Sequence, residues 1–478
     1  MSARPWKLYL AAIAIICLLV GAAIGWVAKP LVTPFGGVSP EEYDAALTKI
    51  TEYESMIEYY AHRMTTQPSV MIDYLKAAVT PEGSIWYMLQ SGIRPDPDKY
   101  PYTELGMPPR NFTGKLVIGT WAGLGRDDPM WWNEGPWGFK QIYPNVTLEW
   151  RTFEDEPDLR AKLELDPDWA DIIEVCGAQW KLIEAGFLAP LNSSLIPLLA
   201  ELLPEWLFHY AFWHDSKLHG VNIEWGQSSL AFRTDIFEEL EVPGNLWNNW
   251  SLLFEPLPEL DGKIWMYDSV IEILPSAIAY AAGTDYWDIP LMVEWTLDQE
   301  KWAKVEEAMY NFRPKIAKFF TGVEEAYTAL QTGVAAGVFC WNDMYAAGAL
   351  GPDWEWDTGD EVPVAWMLPT PGDSWGTAYC INSRLLERDL ELWKVAHAFL
   401  NAVLAAEAQA NKIMEWFEGA PNKYAWDIAI GEWPELAPII EEMRLNNTYY
   451  YTAECSYWIE PPDEITEIWA EFWLEFKG

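Results

Sequence analysis

The chain has 478 residues, with 31 lysines and arginines against 72 aspartates and glutamates, for a formal net charge of −41. So acidic a chain excludes a protein that coats nucleic acid, because phosphate is bound by Lys and Arg displacing its counterions and no basic stretch stands apart. Half of the residues are hydrophobic and 15% are aromatic, with 31 Trp, which excludes a disordered chain.

Arg4 and Lys7 precede an uncharged run over residues 8–28. At about 1.5 Å per helical residue it reaches roughly 30 Å, the thickness of a bilayer's hydrocarbon. The run is longer than the apolar segment of a secretory signal peptide, and Ile15 and Ile16 stand before Cys17 where a lipoprotein signal has small residues. Residues 1–30 are therefore expected to form an uncleaved signal anchor. With the positive residues kept inside, everything after Lys29 is expected outside, as a single-pass protein of the cell membrane with an extracellular body. Asn-X-Ser/Thr sequons at Asn111, Asn145, Asn192, Asn249 and Asn446 are candidate glycosylation sites in such a location. Cys176, Cys340, Cys380 and Cys455 leave their pairing open. No CxxC, HxxxH or HExxH spacing occurs, so neither a metal nor another cofactor is expected.

Residues 31–114 read as a stalk. Pro34, Gly36 and Gly37 form a short hinge. Ser39-Pro40-Glu41-Glu42 then supplies an N-cap, a proline at the first helical position and a glutamate three residues after the cap, predicting a helix over 39–66. Its apolar positions Tyr43, Ala46, Ile50, Tyr53, Ile57, Tyr60 and Met64 alternate by three and four, the seam of a coiled coil. Two readings fit: a homo-oligomer assembled through residues 43–64, or a helix packed on its own protein. Pro95, Pro97, Pro101, Pro108 and Pro109 then predict a semi-rigid linker over 93–114.

The globular body opens with a strand over 115–120. A strand over 171–175 runs into a helix ending near Ala185, and a strand over 337–341 into a helix through Ala347. Short apolar strands fed by helices predict parallel sheets covered on both faces, hence an α/β fold. A body of about 360 residues exceeds one comfortable core and predicts two lobes.

Several segments, in order, resemble the extracellular substrate-binding proteins of ABC importers, closest to the spermidine/putrescine-binding branch. They are Leu116-Val-Ile-Gly-Thr-Trp121, the stretch from Ala170-Asp-Ile-Ile-Glu-Val-Cys176 to Pro190-Leu-Asn192, Asn249-Trp-Ser-Leu-Leu-Phe-Glu-Pro256 with Gly262-Lys263, then Asp268 and Glu272, and Gly333-Val-Ala-Ala-Gly-Val-Phe-Cys-Trp-Asn-Asp343. The resemblance implies a clamshell whose halves close on a small solute and present it to a membrane permease. It places 115–228 with 372–412 in one lobe and 229–371 with 413–478 in the other.

An alkylammonium solute needs aromatic faces for its methylenes and cationic heads, and carboxylates for its amino groups. By the resemblance, Trp121, Trp341 and Trp375 are the stacking residues, Glu272 takes an amine, Cys176 lies in the site loop, and Trp225 is a hinge or wall where the chain crosses between lobes. Asp268, four residues before Glu272, is expected to share a helical face with it. Two departures stand out. Thr377 occupies the position of a carboxylate two residues after the late tryptophan, and Ser269 that of a second acid; Asp343 is the candidate to replace a missing acid. The sequence thus predicts a non-enzymatic receptor for a small solute, with a polyamine as the leading ligand. A sugar or oligosaccharide receptor is the first alternative, since tryptophan faces also stack on sugar rings. A structural surface protein assembled through the stalk is the second. An extracellular hydrolase lacks any nucleophile elbow, metal motif or triad in its favour.

Overall fold

The computed structural model describes residues 95–121, 131–133, 135–207, 209–214, 217–350, 362–447, 451 and 455–478. The expected membrane span over 8–28 and heptad helix over 39–66 lie outside the described residues. No described helix is long and apolar enough to cross a membrane.

The described strands are β1 (Gly114–Trp121), β2 (Val146–Phe153), β3 (Ile172–Cys176), β4 (Trp213–His214), β5 (Lys217–Leu218), β6 (Gly220–Arg233), β7 (Ile264–Tyr267), β8 (Ile316–Phe320), β9 (Gly337–Trp341), β10 (Val364–Trp366), β11 (Gly372–Ile381) and β12 (Cys455–Tyr457). Ten of them form one sheet in the order β2-β1-β3-β11-β6-β9-β7-β8, with β10 beside β6 and β12 beside β11; β4 and β5 pair separately. The expected parallel arrangement holds at the two ends: β1 runs parallel to β2 and β3, and β7 to β8 and β9. The centre departs from it. β11 is antiparallel to β3 and β6, and β6 is antiparallel to β9. α-Helices link β2 to β3, β7 to β8 and β8 to β9, and two long strands running in opposite directions join the trios.

The alternation read in the sequence recurs. β3 leads into the helix Gln179–Glu184, and β9 into the helix Asp343–Leu350. Aspartate caps set other starts: the Asp298 carboxylate accepts from the backbone N–H of Glu300 and Lys301 before the helix Gln299–Phe312, and Asp389 accepts from Leu392 before Leu390–Val403. The stretch expected as a linker is laid against the body from residue 97 onward. Tyr100 is fully buried and its hydroxyl donates to the Leu195 carbonyl at 2.9 Å, while Arg110 donates to the Tyr100 carbonyl at 2.7 Å. Three large apolar residues outweigh the prolines there: Tyr100, Met107 and Tyr143, whose hydroxyl reaches the Pro108 carbonyl.

Apolar side chains gather in two clusters on the sheet. The first includes Leu116, Ile118, Val146, Ile172, Ile173 and Val175 from the β1–β3 trio and continues through Trp225 to Tyr457. The second includes Leu230, Phe232, Phe339, Leu274, Ile278 and Trp469. The carboxy-terminal helix Asp463–Lys477 closes the second cluster. Its buried residues Ile465, Trp469, Phe472, Trp473 and Phe476 recur at helical spacing, and the Trp469 indole donates to Thr296 Oγ1 at 2.8 Å.

β6 and β11 make the centre. All ten residues of β11 are buried, as are all but the last of the 14 in β6. Gly226 of β6 lies opposite Trp375 of β11, and the absence of a side chain lets the indole and the Asn342 amide cover it. A Cβ at Gly226 would stand 2.4 Å from Cζ2 of Trp375 and 2.2 Å from Oδ1 of Asn342, closer than such atoms approach. The variant Gly226→Ala is expected to lower stability by about 1–3 kcal/mol through overpacking. The readout is a lower urea midpoint at unchanged m-value; a midpoint equal to the parent's would mean that the ring does not rest on this glycine.

Candidate functional site

Strands buried on both faces are ordinarily runs of Val, Ile and Leu. β6 and β11 instead carry Glu224, Gln227, Ser228, Ser229, Asp373, Ser374 and Thr377, all buried. Most of these polar groups have structural partners. Gln227 Oε1 accepts from the Trp366 indole at 3.0 Å, Ser229 donates to the Met367 carbonyl at 2.7 Å, Ser374 donates to the Tyr451 carbonyl at 3.0 Å, and Glu224 forms an ion pair with the buried Lys412. Ser228 and Asp373 turn elsewhere.

Side chains alternate along a strand, and directly opposed residues of neighbouring strands share a face. Ser228 of β6 is opposite Trp341 of β9 on one side and Asp373 of β11 on the other. Gly226 is opposite Trp375, and Glu224 is opposite Thr377, which in turn faces Cys176 of β3. One face of the central sheet therefore carries Cys176, Thr377, Glu224, Trp375, Asp373, Ser228 and Trp341, with Glu224 held in its ion pair to Lys412. From β3 to β9 it crosses three strand spacings of about 4.8 Å, roughly 14 Å in all, the length of a small extended solute.

Glu272 joins this group from the turn Val270–Glu272. Its carboxylate accepts hydrogen bonds from Ser228 Oγ and from the Trp341 side chain. Burial raises its pKa, and these two donors oppose the rise. The Trp341 ring lies 4.9 Å from that of Tyr267 at 52°. At the β3 end, the backbone N–H of Cys176 donates to Glu156 Oε1 at 2.6 Å, and Glu156 is a buried acid whose pKa burial pushes well up. The next residue, Gly177, has φ +78° and lies under the Trp458 ring; a Cβ there would fall 1.7 Å from Cζ3 of that indole. Trp458 is itself fixed by its N–H to the Ser374 carbonyl at 2.6 Å.

The structure thus brings together Trp341, Trp375 and Glu272, with Cys176 and Thr377 farther along the same face. Four expected residues stand apart. Trp121 ends β1 and packs on Phe153, with ring centres 4.9 Å apart, and no described contact joins it to the others. Trp225 is fully buried on the opposite face of β6. It stacks on Trp206 at 5.4 Å and meets Tyr451 at 4.2 Å, so it is a core residue and not a wall. Asp268 accepts from the Trp473 indole at 2.8 Å and from Lys477 Nζ at 2.7 Å, tying the carboxy-terminal helix to the end of β7. It does not share a helical face with Glu272, because the chain between them turns through Ser269 in extended conformation. Asp343 begins the helix after β9 and accepts a hydrogen bond from the Tyr327 hydroxyl. Among the described residues, Cys340 and Cys380 are buried free thiols. All five sequon asparagines lie at the surface.

Ser228, Asp373, Tyr267 and Trp458 belong to this neighbourhood and escaped the sequence reading. Asp373 had a usable signal: it stands two residues before Trp375, one strand period away on the same face.

Comparison with known proteins adds the fold. No protein-family model matches the sequence, and no curated protein matches it. Solved structures do. Its structural neighbours are substrate-binding proteins of ABC transporters. The spermidine/putrescine ABC transporter substrate-binding protein PotD of Streptococcus pneumoniae aligns at 15% identity and TM-score 0.57 over 76% of this chain and 99% of its own. A putative spermidine/putrescine ABC transporter protein of Listeria monocytogenes aligns at 16% identity and TM-score 0.57, over 76% and 98%. The GacH receptor of Streptomyces glaucescens, solved unliganded and with acarbose, aligns at 13% identity and TM-score 0.53, over 77% and 99%. At these identities the likeness is one of fold.

Asp343 gives the region a pH signature. Burial pushes its pKa up to about 6, against the hydrogen bond from Tyr327. Unfolded, the group titrates near about 3.9. Between the two values the folded protein holds more protons than the unfolded, so this group's contribution makes stability fall as pH rises. Asp343→Asn removes the ionisation and keeps an acceptor for Tyr327. The stability of the variant relative to the parent is expected to grow by about 2–3 kcal/mol from pH 3.5 to pH 7. A difference that stays flat across that range in urea titrations would contradict the buried, raised carboxyl.

Proposed function

We propose that this protein is a non-enzymatic receptor that captures a small organic solute between two hinged halves and delivers it to an ABC importer. The halves are 115–228 with 372–412, and 229–371 with 413–478, and the hinge lies where the chain crosses between them, within β6 and just ahead of β11. The observation that carries the reading is the meeting of Trp341, Trp375 and Glu272 on one face of the sheet where those strands pair. Two indoles offer flat apolar faces and the carboxylate a charge-assisted acceptor, which together suit a cationic amine such as a polyamine. The fold shared with spermidine/putrescine transporter proteins supports the same solute class.

The setting follows from the amino-terminal sequence. Residues 8–28 anchor the chain in the membrane and hold the body outside, beside the permease. The surface asparagines of the five sequons are then open to glycans. The net charge of −41 draws cations toward the body, most strongly at low salt. An oligosaccharide receptor is the second reading. It is favoured by Thr377, a neutral hydroxyl on the same face, and by the acarbose-binding neighbour of the same fold.

The test is calorimetry of the full chain in detergent micelles against putrescine, spermidine and malto-oligosaccharides. A bound solute at about 100 times Kd is expected to raise stability by about 2.7 kcal/mol. Trp341→Ala and Glu272→Gln are each expected to weaken binding at least about tenfold, near 1.4 kcal/mol. Parent-like affinity in both variants would put the solute on some other surface.

A further inference from the structure

Asp373 is a carboxylate with nothing assigned to it. It is 1% exposed, and neither oxygen has a hydrogen-bond partner. Among the described residues no Lys, Arg or His pairs with it, whereas the other buried acid of this strand pair, Glu224, has Lys412. A buried, uncompensated acid is costly to a fold and needs a reason. Its surroundings supply one. Asp373 is opposite Ser228, whose hydroxyl is committed to Glu272, and it lies near enough to Glu272 for the two acids to feel one another. The Trp375 indole stands two residues along the same strand face, and Trp341 stands on the far side of Ser228. Two carboxyl groups therefore sit close together with aromatic rings on two sides and no protein cation between them.

The geometry points to Asp373 and Glu272 as a two-carboxylate seat for one protonated amine of the solute, flanked by Trp375 and Trp341. This rests on the reading of the face as a capture site, and it selects among that site's solutes. An ammonium group has three N–H donors and one charge. It can donate to both acids at once and offset their charge while its first methylenes lie against the indoles; a neutral sugar can donate hydroxyls there but brings no charge to compensate two buried acids. Glu272 arrives already oriented by Ser228 and Trp341, so its part of the seat is fixed before binding. Burial and the neighbouring Glu272 both push the Asp373 pKa well up in the ligand-free protein; a cation between the two groups removes the electrostatic cause. The acid missing two residues after Trp375 is in this way supplied two residues before it, on the same face.

The experiment uses the full chain in detergent micelles, with putrescine, spermidine, agmatine, 4-amino-1-butanol, maltose and maltotriose as probes. The parent is expected to bind at least one of the amines. Asp373→Asn is expected to weaken that binding on the order of 100-fold, while Asp268→Asn, which lies outside the site, leaves it unchanged. Ligand-free Asp373→Asn is also expected to melt higher than the parent, because the unpaired buried acid is gone; this readout separates loss of binding from loss of fold. The seat is overturned if amines bind Asp373→Asn as they bind the parent, if the parent binds no amine, or if ligand-free Asp373→Asn melts lower. A parent that binds a sugar in a Trp341-dependent way with Asp373→Asn intact overturns the seat and leaves solute capture standing. A parent that binds neither amine nor sugar overturns both.

Discussion

The antiparallel pairing of β6 with β11 is the constraint on which the rest depends. These strands are buried along nearly their whole length, yet they carry carboxylates, amides and hydroxyls, and burying such groups is tolerable only where each finds a partner. Gln227, Ser229, Ser374 and Glu224 find theirs within the protein. Gly226 gives up a side chain so that Trp375 can lie across the strand. What remains on the same face is a short row of tryptophans and acids whose positions are set by the register of three strands. Shifting that register by one residue would send the row to the opposite face.

Much of this was legible in the sequence, and the rest was hidden for definable reasons. The strands at β1, β3 and β9 and the helices after β3 and β9 follow from short apolar runs and their neighbours. Trp341 belongs to such a strand, whereas Trp375, on β11, is named only by the family resemblance. Trp225 could not be placed on the right side, since the face it takes depends on strand register, and it stacks in the core with Trp206. Asp268 and Glu272 are four apart, which suggested one helical face, but a strand end and a tight turn separate them and Asp268 goes to Lys477. Asp373 is hidden because the family resemblance points to the position two residues after Trp375, occupied by Thr377, although strand alternation counts equally in both directions. The central antiparallel pairing was not readable at all: the direction in which a distant strand returns is a property of the whole chain path.

The acidity of the molecule has two separate components. Most acids lie on the surface, where they are solvated and where pairs such as Lys115–Glu149 and Arg384–Glu387 contribute little. Glu156, Glu272, Asp343 and Asp373 are different: burial raises the pKa of each. Burial raises Asp171, Asp288 and Glu460 as well, so a raised carboxyl points to a functional site only where the groups share a face, as Glu272 and Asp373 do beside Ser228. For those two acids the cost in stability falls where a ligand can offset it.

The most direct test of solute capture on this face is a crystal structure of the protein with its tightest-binding solute. The solute is expected within contact distance, about 4 Å, of both the Trp341 and Trp375 rings, with a donor group on the Glu272 carboxylate. A solute seated instead against Trp121 and Phe153, leaving both of those indoles and Glu272 untouched, would contradict it.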